Sequence, residues 1–195
     1  MSRRLLLIAG PSGSGKSRLT RLAAEAASAL AFRLDDFYHD ADHPDLPMTP
    51  MGIPDWDRVE TWDLELALRC LTALLDDGAC EVPDYDISLS RRVGSHTVEM
   101  GDANLIVAEG IFAIDALRPA LAAGIEAEGL WLDRRRLANF SRRLTRDLRE
   151  RRKPPVVLLR RGAALYRGEP GIRREALAQG FQPVSMRAAL RRLTN

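Results

Sequence analysis

The residues best suited to chemistry in this chain form one short glycine-rich run. It reads Gly10-Pro11-Ser12-Gly13-Ser14-Gly15-Lys16-Ser17 and fits the phosphate-binding pattern G-x-x-x-x-G-K-[ST]. In such a loop the glycines let backbone N–H groups turn inward around a phosphate, the lysine reaches the β- and γ-oxygens, and the serine hydroxyl ligates Mg²⁺. The motif therefore predicts nucleotide binding by Gly10, Ser12, Gly13, Ser14, Gly15, Lys16 and Ser17, with Ser17 also on the metal.

Lysine usage and the flanking elements both favour this interpretation. Lys16 and Lys153 are the only lysines among 29 Lys and Arg residues, and a planar guanidinium does not replace a compact ammonium at a phosphate. The apolar run at 4–9 predicts a buried strand before the loop, and the helical spacing of leucines and alanines predicts a helix over 15–28. The strand–loop–helix order disfavours the alternative, a glycine–serine turn that merely caps a helix.

Two carboxylates follow other predicted strands. Asp35 follows a short strand at 30–34, and Glu109 follows the apolar run 104–108. Ligands of parallel sheets bind at the carboxyl ends of the strands, so both side chains are expected near the phosphate loop. Asp35 could accept the proton of an acceptor hydroxyl, or it could be a helix cap or plain loop carboxylate. Glu109 suits a metal shell, with a surface residue as the alternative.

Short strands alternate with helices along the chain, which predicts an α/β fold. We expect strands at 4–9, 30–34, 104–108 and 129–133, helices at 15–28, 61–77, 115–123 and 135–151, and a hairpin at 80–100. Thr61 is the expected N-cap of the second of these helices. Residues 39–60 predict a long functional loop, and the chain after 154 predicts helical pieces broken at 168–171 and 180–183. The expected architecture is a three-layer P-loop NTPase sandwich, a parallel sheet with helices on both faces, as one domain over 1–195.

Composition bounds the remaining choices. The chain has 195 residues, and none of its apolar stretches reaches the 18 residues of a membrane span. Cys70 and Cys80 fit no metal pattern and predict free thiols in a cytoplasmic protein. Residues 1–90 hold 8 basic and 16 acidic side chains, whereas residues 131–195 hold 18 basic and 5 acidic ones. The basic third could bind nucleic acid, surround a polyphosphate or form solvated helix faces.

Several further segments resemble the uridine kinase-like family, which includes phosphoribulokinase and bacterial pantothenate kinase. Motifs of guanine-binding proteins, transporter ATPases and motor ATPases are absent from the sequence. The resemblance covers about residues 5–153, and its segments are Leu34-Asp35-Asp36-Phe37-Tyr38, Asp55-Trp56-Asp57-Arg58-Val59-Glu60-Thr61-Trp62-Asp63, Pro83-Asp84-Tyr85-Asp86, Ala108-Glu109-Gly110-Ile111 and Ser141-Arg142-Arg143-Leu144-Thr145-Arg146-Asp147.

The resemblance implies an ATP-dependent kinase that transfers the γ-phosphoryl group to the hydroxyl of a small acceptor, most readily a nucleoside. It assigns catalysis to Asp35, Lys16, Arg143 and Arg146, the last two on an arginine-rich helical lid over about 135–155. ATP is then a co-substrate and Mg²⁺ the cofactor.

The acceptor would lie on a loop and hairpin over about 36–100, bound by Asp57, Tyr85 and Tyr38. Glu109 would join Ser17 on the metal. Of the aromatic residues in these segments, Phe37, Tyr38, Trp56 and Trp62, each could stack on an acceptor or pack in the core.

One departure from the family pattern leaves the acceptor open. The family's histidine that reads the pyrimidine is missing, and Ser90 or Arg91 stands near its place. Pantothenate or another metabolite is therefore an alternative acceptor. A different alternative is a nucleotide-dependent switch or nucleic-acid-binding ATPase, which Asp35 at a strand end disfavours. We expect ATP and a small hydroxyl-bearing substrate as partners, no membrane and no nucleic acid, with a homo-oligomer left open.

Overall fold

Short apolar strands and amphipathic helices alternate along the chain, as the computed structural model shows for residues 3–26, 29–134, 139, 145 and 155–194. The described elements, in chain order, are β1 (Arg4–Ala9), α1 (Lys16–Ala26), β2 (Ala29–Arg33), two 3₁₀ turns (Leu34–Phe37 and Val59–Thr61), α2 (Leu64–Asp76), β3 (Ala79–Asp86), β4 (Arg91–Glu99), β5 (Leu105–Glu109), α3 (Ala113–Ala122), β6 (Ala127–Leu132), α4 (Pro155–Ala178), β7 (Gln182–Val184) and α5 (Met186–Thr194).

Five of these strands form one parallel sheet in the order β2-β5-β1-β6-β7. β1 lies at its centre and is buried on both faces, as expected for a parallel strand of continuous apolar sequence. Leu5 and Leu7 belong to a core shared with α2 and α3, whereas Leu6 and Ile8 belong to a second core shared with α1 and α5. The predicted three-layer α/β architecture is confirmed.

β3 and β4 form a separate antiparallel hairpin, as predicted. The inward residues Cys80 and Val82 of β3 are buried in the core that contains α2. β4 is exposed along most of its length. The hairpin therefore stands beside the main sheet and is attached to it through α2.

The region beyond residue 154 differs from its prediction. α4 runs unbroken through Gly168 and Gly171 and contains Pro170, although this composition predicts a break. Packing overrides the local preference, because Glu169 is buried, accepts a hydrogen bond from Asn139 at 3.2 Å and lies one turn from an ion pair of Arg173.

A fifth strand was also not predicted. β7 has three residues, and Pro183 lowers its strand propensity, but β7 is an edge strand, where a missing N–H is tolerated. The predicted cap at Thr61 is wrong as well, since α2 begins at Leu64 and Asp63 caps it by accepting from the Leu66 amide at 2.9 Å. Apart from Asn139 and Thr145, the predicted helix over 135–151 lies outside the described residues.

The part of the chain described here contains no helix with both the length and the apolar character needed to cross a bilayer.

Candidate active site

The phosphate loop joins the central strand β1 to the first turn of α1. Gly13 and Gly15 have φ angles of 85° and 98°, which side-chain-bearing residues rarely adopt. The Lys16 ammonium folds back over the loop and donates to the Gly10 carbonyl at 2.7 Å. A Cβ at Gly15 would lie 2.9 Å from the Met186 Cε atom, so the start of α5 packs directly against the loop. The loop is thus closed on itself and supported from behind.

Ser14 lies inside this loop. Its side chain is fully buried, and its Oγ has no hydrogen-bond partner among the described residues. Its backbone N–H donates to the Pro11 carbonyl at 3.0 Å. The hydroxyl of Ser14 therefore faces the interior of the loop, while its amide closes the loop's own turn.

Asp35 is held against the turn that follows β5. Its Oδ1 atom accepts a hydrogen bond from the Ile111 amide at 3.0 Å. A Cβ at Gly110 would lie 2.7 Å from the Leu34 Cβ and 2.8 Å from the Asp35 Oδ1, so only glycine allows this approach. The 3₁₀ turn after β2 and the turn after β5 are therefore locked together at the carboxyl end of the sheet.

Glu109 lies between Asp35 and the phosphate loop. It is the last residue of β5 and is in register with Ile8 of β1 on one side and Arg33 of β2 on the other. Gly10 and Asp35 each follow two residues after these partners. The strand order thus brings the three predicted strand-end residues to one edge, as parallel-sheet topology requires.

Ser17 and Glu109 line one depression beside α1 and β2. A hydroxyl and a carboxylate are hard oxygen ligands of the kind that Mg²⁺ prefers, with remaining positions left for waters or phosphates. Among the described residues, no group of three or more His, Cys, Asp or Glu side chains could hold a metal. The Ser17 hydroxyl and the Glu109 carboxylate therefore fit a Mg²⁺ ion whose other ligands would be waters or phosphate oxygens.

A cluster of aromatic rings lies next to Asp35. The Tyr38 ring centroid is 5.5 Å from that of Tyr85, 5.7 Å from that of Trp56 and 5.6 Å from that of Phe112. The Tyr85 hydroxyl donates to the His39 carbonyl at 3.3 Å. Three segments distant in sequence therefore meet around Tyr38.

Carboxylates surround the two phenols of this cluster. Burial, followed by the charges of Asp35 and Asp57, raises the pKa of Tyr38 well above its usual range. Burial, followed by the charge of Asp40, raises the pKa of Tyr85. Both phenols stay protonated at neutral pH and can donate hydrogen bonds. The structure thus brings Asp35, Tyr38, Tyr85 and Asp57 into one region, as the sequence predicted.

Two of the aromatic residues whose role was open pack in the core. Trp62 is buried, and its Nε1 donates to the Leu34 carbonyl at 2.8 Å. Phe37 is fully buried, and its ring centroid is 5.5 Å from that of Phe32. These two side chains support the 3₁₀ turn that carries Asp35, whereas Tyr38 and Trp56 stay partly exposed.

Sequence reasoning missed Arg92, which joins the hairpin to the segment after Asp35. Its Nε donates to the Tyr38 carbonyl at 3.1 Å, its Nη2 donates to the Asp63 carboxylate at 3.1 Å, and its own amide donates to Asp40 Oδ1 at 2.7 Å. These partners lie 29 to 54 positions away along the chain. No local spacing in the sequence could have signalled this side chain.

Comparison with known proteins identifies the family. The sequence model of the Phosphoribulokinase / Uridine kinase family matches residues 5–154. The chain belongs to this family. The resemblance read from the motifs at residues 34–38, 55–63, 83–86 and 108–111 is thereby confirmed.

Individual proteins are similar to this chain at moderate identity. A uridine kinase of Deinococcus deserti is 28% identical over 157 residues, which cover 78% of this chain and 72% of the relative. The inorganic pyrophosphatase TTM1 of Arabidopsis thaliana is 29% identical over 126 residues, or 64% of this chain. The match spans only 18% of that plant protein, so similarity is limited to one segment of it.

A solved structure confirms the fold. A candidate fructose transport system kinase from Silicibacter sp. TM1040 superposes with a TM-score of 0.61 at 19% identity, covering 93% of this chain and 87% of its own.

Ser90 and Arg91, which the sequence places near the expected position of the family's pyrimidine-reading histidine, lie in the hairpin turn and at the first residue of β4. Ser90 has a φ of 49°, a left-handed conformation at a residue other than glycine, and its carbonyl accepts from the Ala41 amide at 2.8 Å. The Ser90 turn therefore fixes the hairpin to the loop after Tyr38.

Two predicted catalytic residues and one strand-end residue remain. Arg143 and Arg146, with the lid that would carry them, lie outside the described residues.

Asp133 follows β6 at the same edge as Glu109, but its carboxylate is paired with Arg173 at 3.0 Å. Asp133 therefore anchors α4 to the sheet.

Proposed function

We propose that this protein is an ATP-dependent kinase that phosphorylates a hydroxyl group of a small acceptor, most readily a nucleoside. The observation that carries the proposal is the contact between Asp35 and the turn at Gly110. This contact holds a carboxylate at the end of β2, with only β5 between it and the phosphate-loop strand, beside a cluster of aromatic side chains that suits a flat ring.

In the proposed reaction Asp35 orients the acceptor hydroxyl and accepts its proton. The acceptor oxygen forms a bond to the γ-phosphorus, and the bond from that phosphorus to the β,γ-bridging oxygen breaks, with ADP as leaving group. Lys16 and the loop amides hold the phosphates, so the chemistry depends mainly on positioning and charge.

Ser17 and Glu109 would hold Mg²⁺, which supplies neutralisation of phosphate charge when bound. Tyr38 and Tyr85 would contact the acceptor ring, and Asp57 would bind its hydroxyl groups. We assign Arg143 and Arg146 to the lid over about 135–155, where their charges would stabilise the transferring group. The protein would act in the cytoplasm as one domain over 1–195, with residues 36–100 holding the acceptor.

A second candidate keeps the reaction and changes the acceptor to pantothenate or another metabolite. It is favoured by the absence of the family's base-reading histidine, near whose place Ser90 or Arg91 stands. A nucleotide-dependent switch stays as the alternative of another class.

The test is turnover of a panel of nucleosides, pantothenate and sugar alcohols with ATP and Mg²⁺, with product mass as the readout. The variant Asp35→Asn should lower kcat at least ~100-fold, the scale of general-base catalysis, and leave ATP binding intact. Asp36→Asn is the matched control, because it removes the neighbouring carboxylate, which pairs with Arg33 at 3.3 Å.

Equal turnover by Asp35→Asn would contradict the role of Asp35. Slow ATP hydrolysis without product from any acceptor would favour the switch.

A further inference from the structure

The acceptor side of the proposed site is strongly acidic. Between Asp35 and Asp63 the chain carries nine carboxylates and one arginine, and the end of β3 adds Asp84 and Asp86. The phosphate side carries the opposite charge through Lys16. Two ligands of one reaction would therefore meet opposite potentials on the two sides of Glu109.

The acidic potential reaches the interior of the acceptor side. The phenol of Tyr38 is half-buried and carries the effect of the Asp35 and Asp57 charges, and the phenol of Tyr85 carries that of Asp40. A negative group on a ligand that stacked against these rings would meet the same three carboxylates. Their repulsion is strong where water is partly excluded, since charge interactions grow as the effective dielectric falls.

Three arginines close to these carboxylates already have partners within the protein. Arg92 donates to the Tyr38 carbonyl and to Asp63, both at 3.1 Å. Arg58 is paired with Glu60 at 2.6 Å, and Arg33 is paired with Asp36 at 3.3 Å. An anionic ligand would have to compete with these internal partners.

His39 supplies no compensating charge at neutral pH. Its ring stacks on His43 with centroids 4.2 Å apart. Burial, followed by the neighbouring His43, lowers the pKa of His39. The carboxylates of Asp63 and Asp40 raise this pKa, but by less. His39 and these three arginines therefore offer no free positive charge to a ligand of the acceptor side.

We infer that the acceptor site selects an uncharged alcohol and excludes anionic ones, such as carboxylates and phosphate esters. This inference rests on the proposed function, because it requires that the acceptor bind on the Asp35 side. The inference ranks the candidate acceptors by their charge. A nucleoside is favoured because it is uncharged. Pantothenate is disfavoured relative to the same molecule without its carboxylate.

The experiment uses two pairs of acceptors that differ in one negative charge: pantothenol with pantothenate, and uridine with 5-carboxyuridine. Steady-state kinetics with ATP and Mg²⁺ give kcat/KM for each. We expect the uncharged member to exceed its anionic partner at least tenfold at about 0.02 M salt. The ratio should shrink severalfold at about 0.5 M salt, because screening shortens the range of the repulsion.

Charge variants sharpen the test. Asp57→Asn should lower the ratio of kcat/KM for the uncharged acceptor to kcat/KM for the anionic one at low salt, because it removes one of the carboxylates that act on Tyr38. Asp102→Asn is the control, since it removes the same charge from an exposed turn after β4 and should leave the ratio unchanged.

Equal or higher kcat/KM for the anionic members would overturn the inference and leave the kinase proposal standing. A ratio that does not respond to salt would also overturn it, because exclusion would then be steric. Absence of product from all four acceptors and from the wider panel would instead overturn the proposed function, and the inference with it.

Discussion

The phosphate side and the acceptor side of this site are built in different ways. The phosphate loop is eight consecutive residues, and its main side-chain contact joins Lys16 to Gly10, six positions away. The acceptor side is assembled from distant segments, and Arg92 alone reaches partners 29 and 54 positions away. A local motif fixes the first region, whereas tertiary contacts fix the second. Substitutions in the two regions should therefore affect different kinetic constants.

The largest effect should come from breaking the phosphate side alone. Lys16→Ala removes the ammonium from the loop, and we expect turnover to fall by about a thousandfold with ATP binding weakened in parallel. Lys16→Arg should not restore activity, since a planar guanidinium does not fit the loop. Acceptor binding measured by calorimetry should stay unchanged, and a loss there would show that the two sides are not separable.

A smaller effect should come from the contact that joins the two sides. Gly110→Ala places a Cβ 2.8 Å from the Asp35 carboxylate, so that carboxylate must move. We expect kcat to fall up to ~100-fold with the KM for ATP unchanged, because a displacement of about 1 Å can cost that much. Gly171→Ala is the control, since a Cβ there meets nothing within 4 Å. Wild-type kcat in Gly110→Ala would mean that the position of Asp35 does not limit the reaction.

The acceptor side alone is tested by Arg92→Ala. Loss of its bonds to Tyr38 and Asp63 should raise the KM for the acceptor about tenfold and leave the KM for ATP unchanged. The protein should also lose about 1–3 kcal/mol of unfolding free energy, as expected for hydrogen bonds of a charged group. Arg92→Lys should recover part of both. Equal changes in the two KM values would contradict the separation of the regions.

The smallest effect concerns Asp63, the partner of Arg92 and the cap of α2. Burial opposes its charge, but hydrogen bonds from the Leu66 amide and Arg92 outweigh burial and lower the pKa of Asp63. A lowered pKa contributes stability that is present above the unfolded value of 3.8 and is lost as pH falls through the folded value.

Asp63→Asn keeps a cap and removes the ion pair, so the loss of unfolding free energy at pH 7 should be at most about 1 kcal/mol. The difference from the wild type should shrink below pH 3.8 in chemical denaturation. A difference that persists at low pH would exclude the ion pair as its cause.

The same contrast explains what the sequence could predict. The phosphate loop, the strands of apolar residues and the meeting of Asp35 with Glu109 follow from local patterns and from the rules of parallel sheets. Arg92 could not be found in this way, because its partners are defined only by the folded chain. The unbroken α4 and the edge strand β7 were not predicted for a related reason. Packing overrides the local preference of Gly168, Pro170 and Pro183 to interrupt a helix or strand.

The roles of the aromatic residues could not be predicted either, because they too depend on tertiary contacts. A tryptophan beside an aspartate has one sequence signature whether it stacks on a ligand or fills a core. Only the position of Trp62 beneath Leu34 decided between the two. The predicted roles of individual site residues remain to be tested by the variants above.

The contact between Gly15 and Met186 bears on how the protein forms during synthesis. The phosphate loop leaves the ribosome early, but α5, which packs against it and covers Leu6 and Ile8, leaves some 170 residues later. A nascent chain that lacks residues 186–194 would expose the part of this face that α1 does not cover and would lack the contact that supports the loop. The ability to bind nucleotide should therefore arise only after α5 is translated, some 170 residues after its motif.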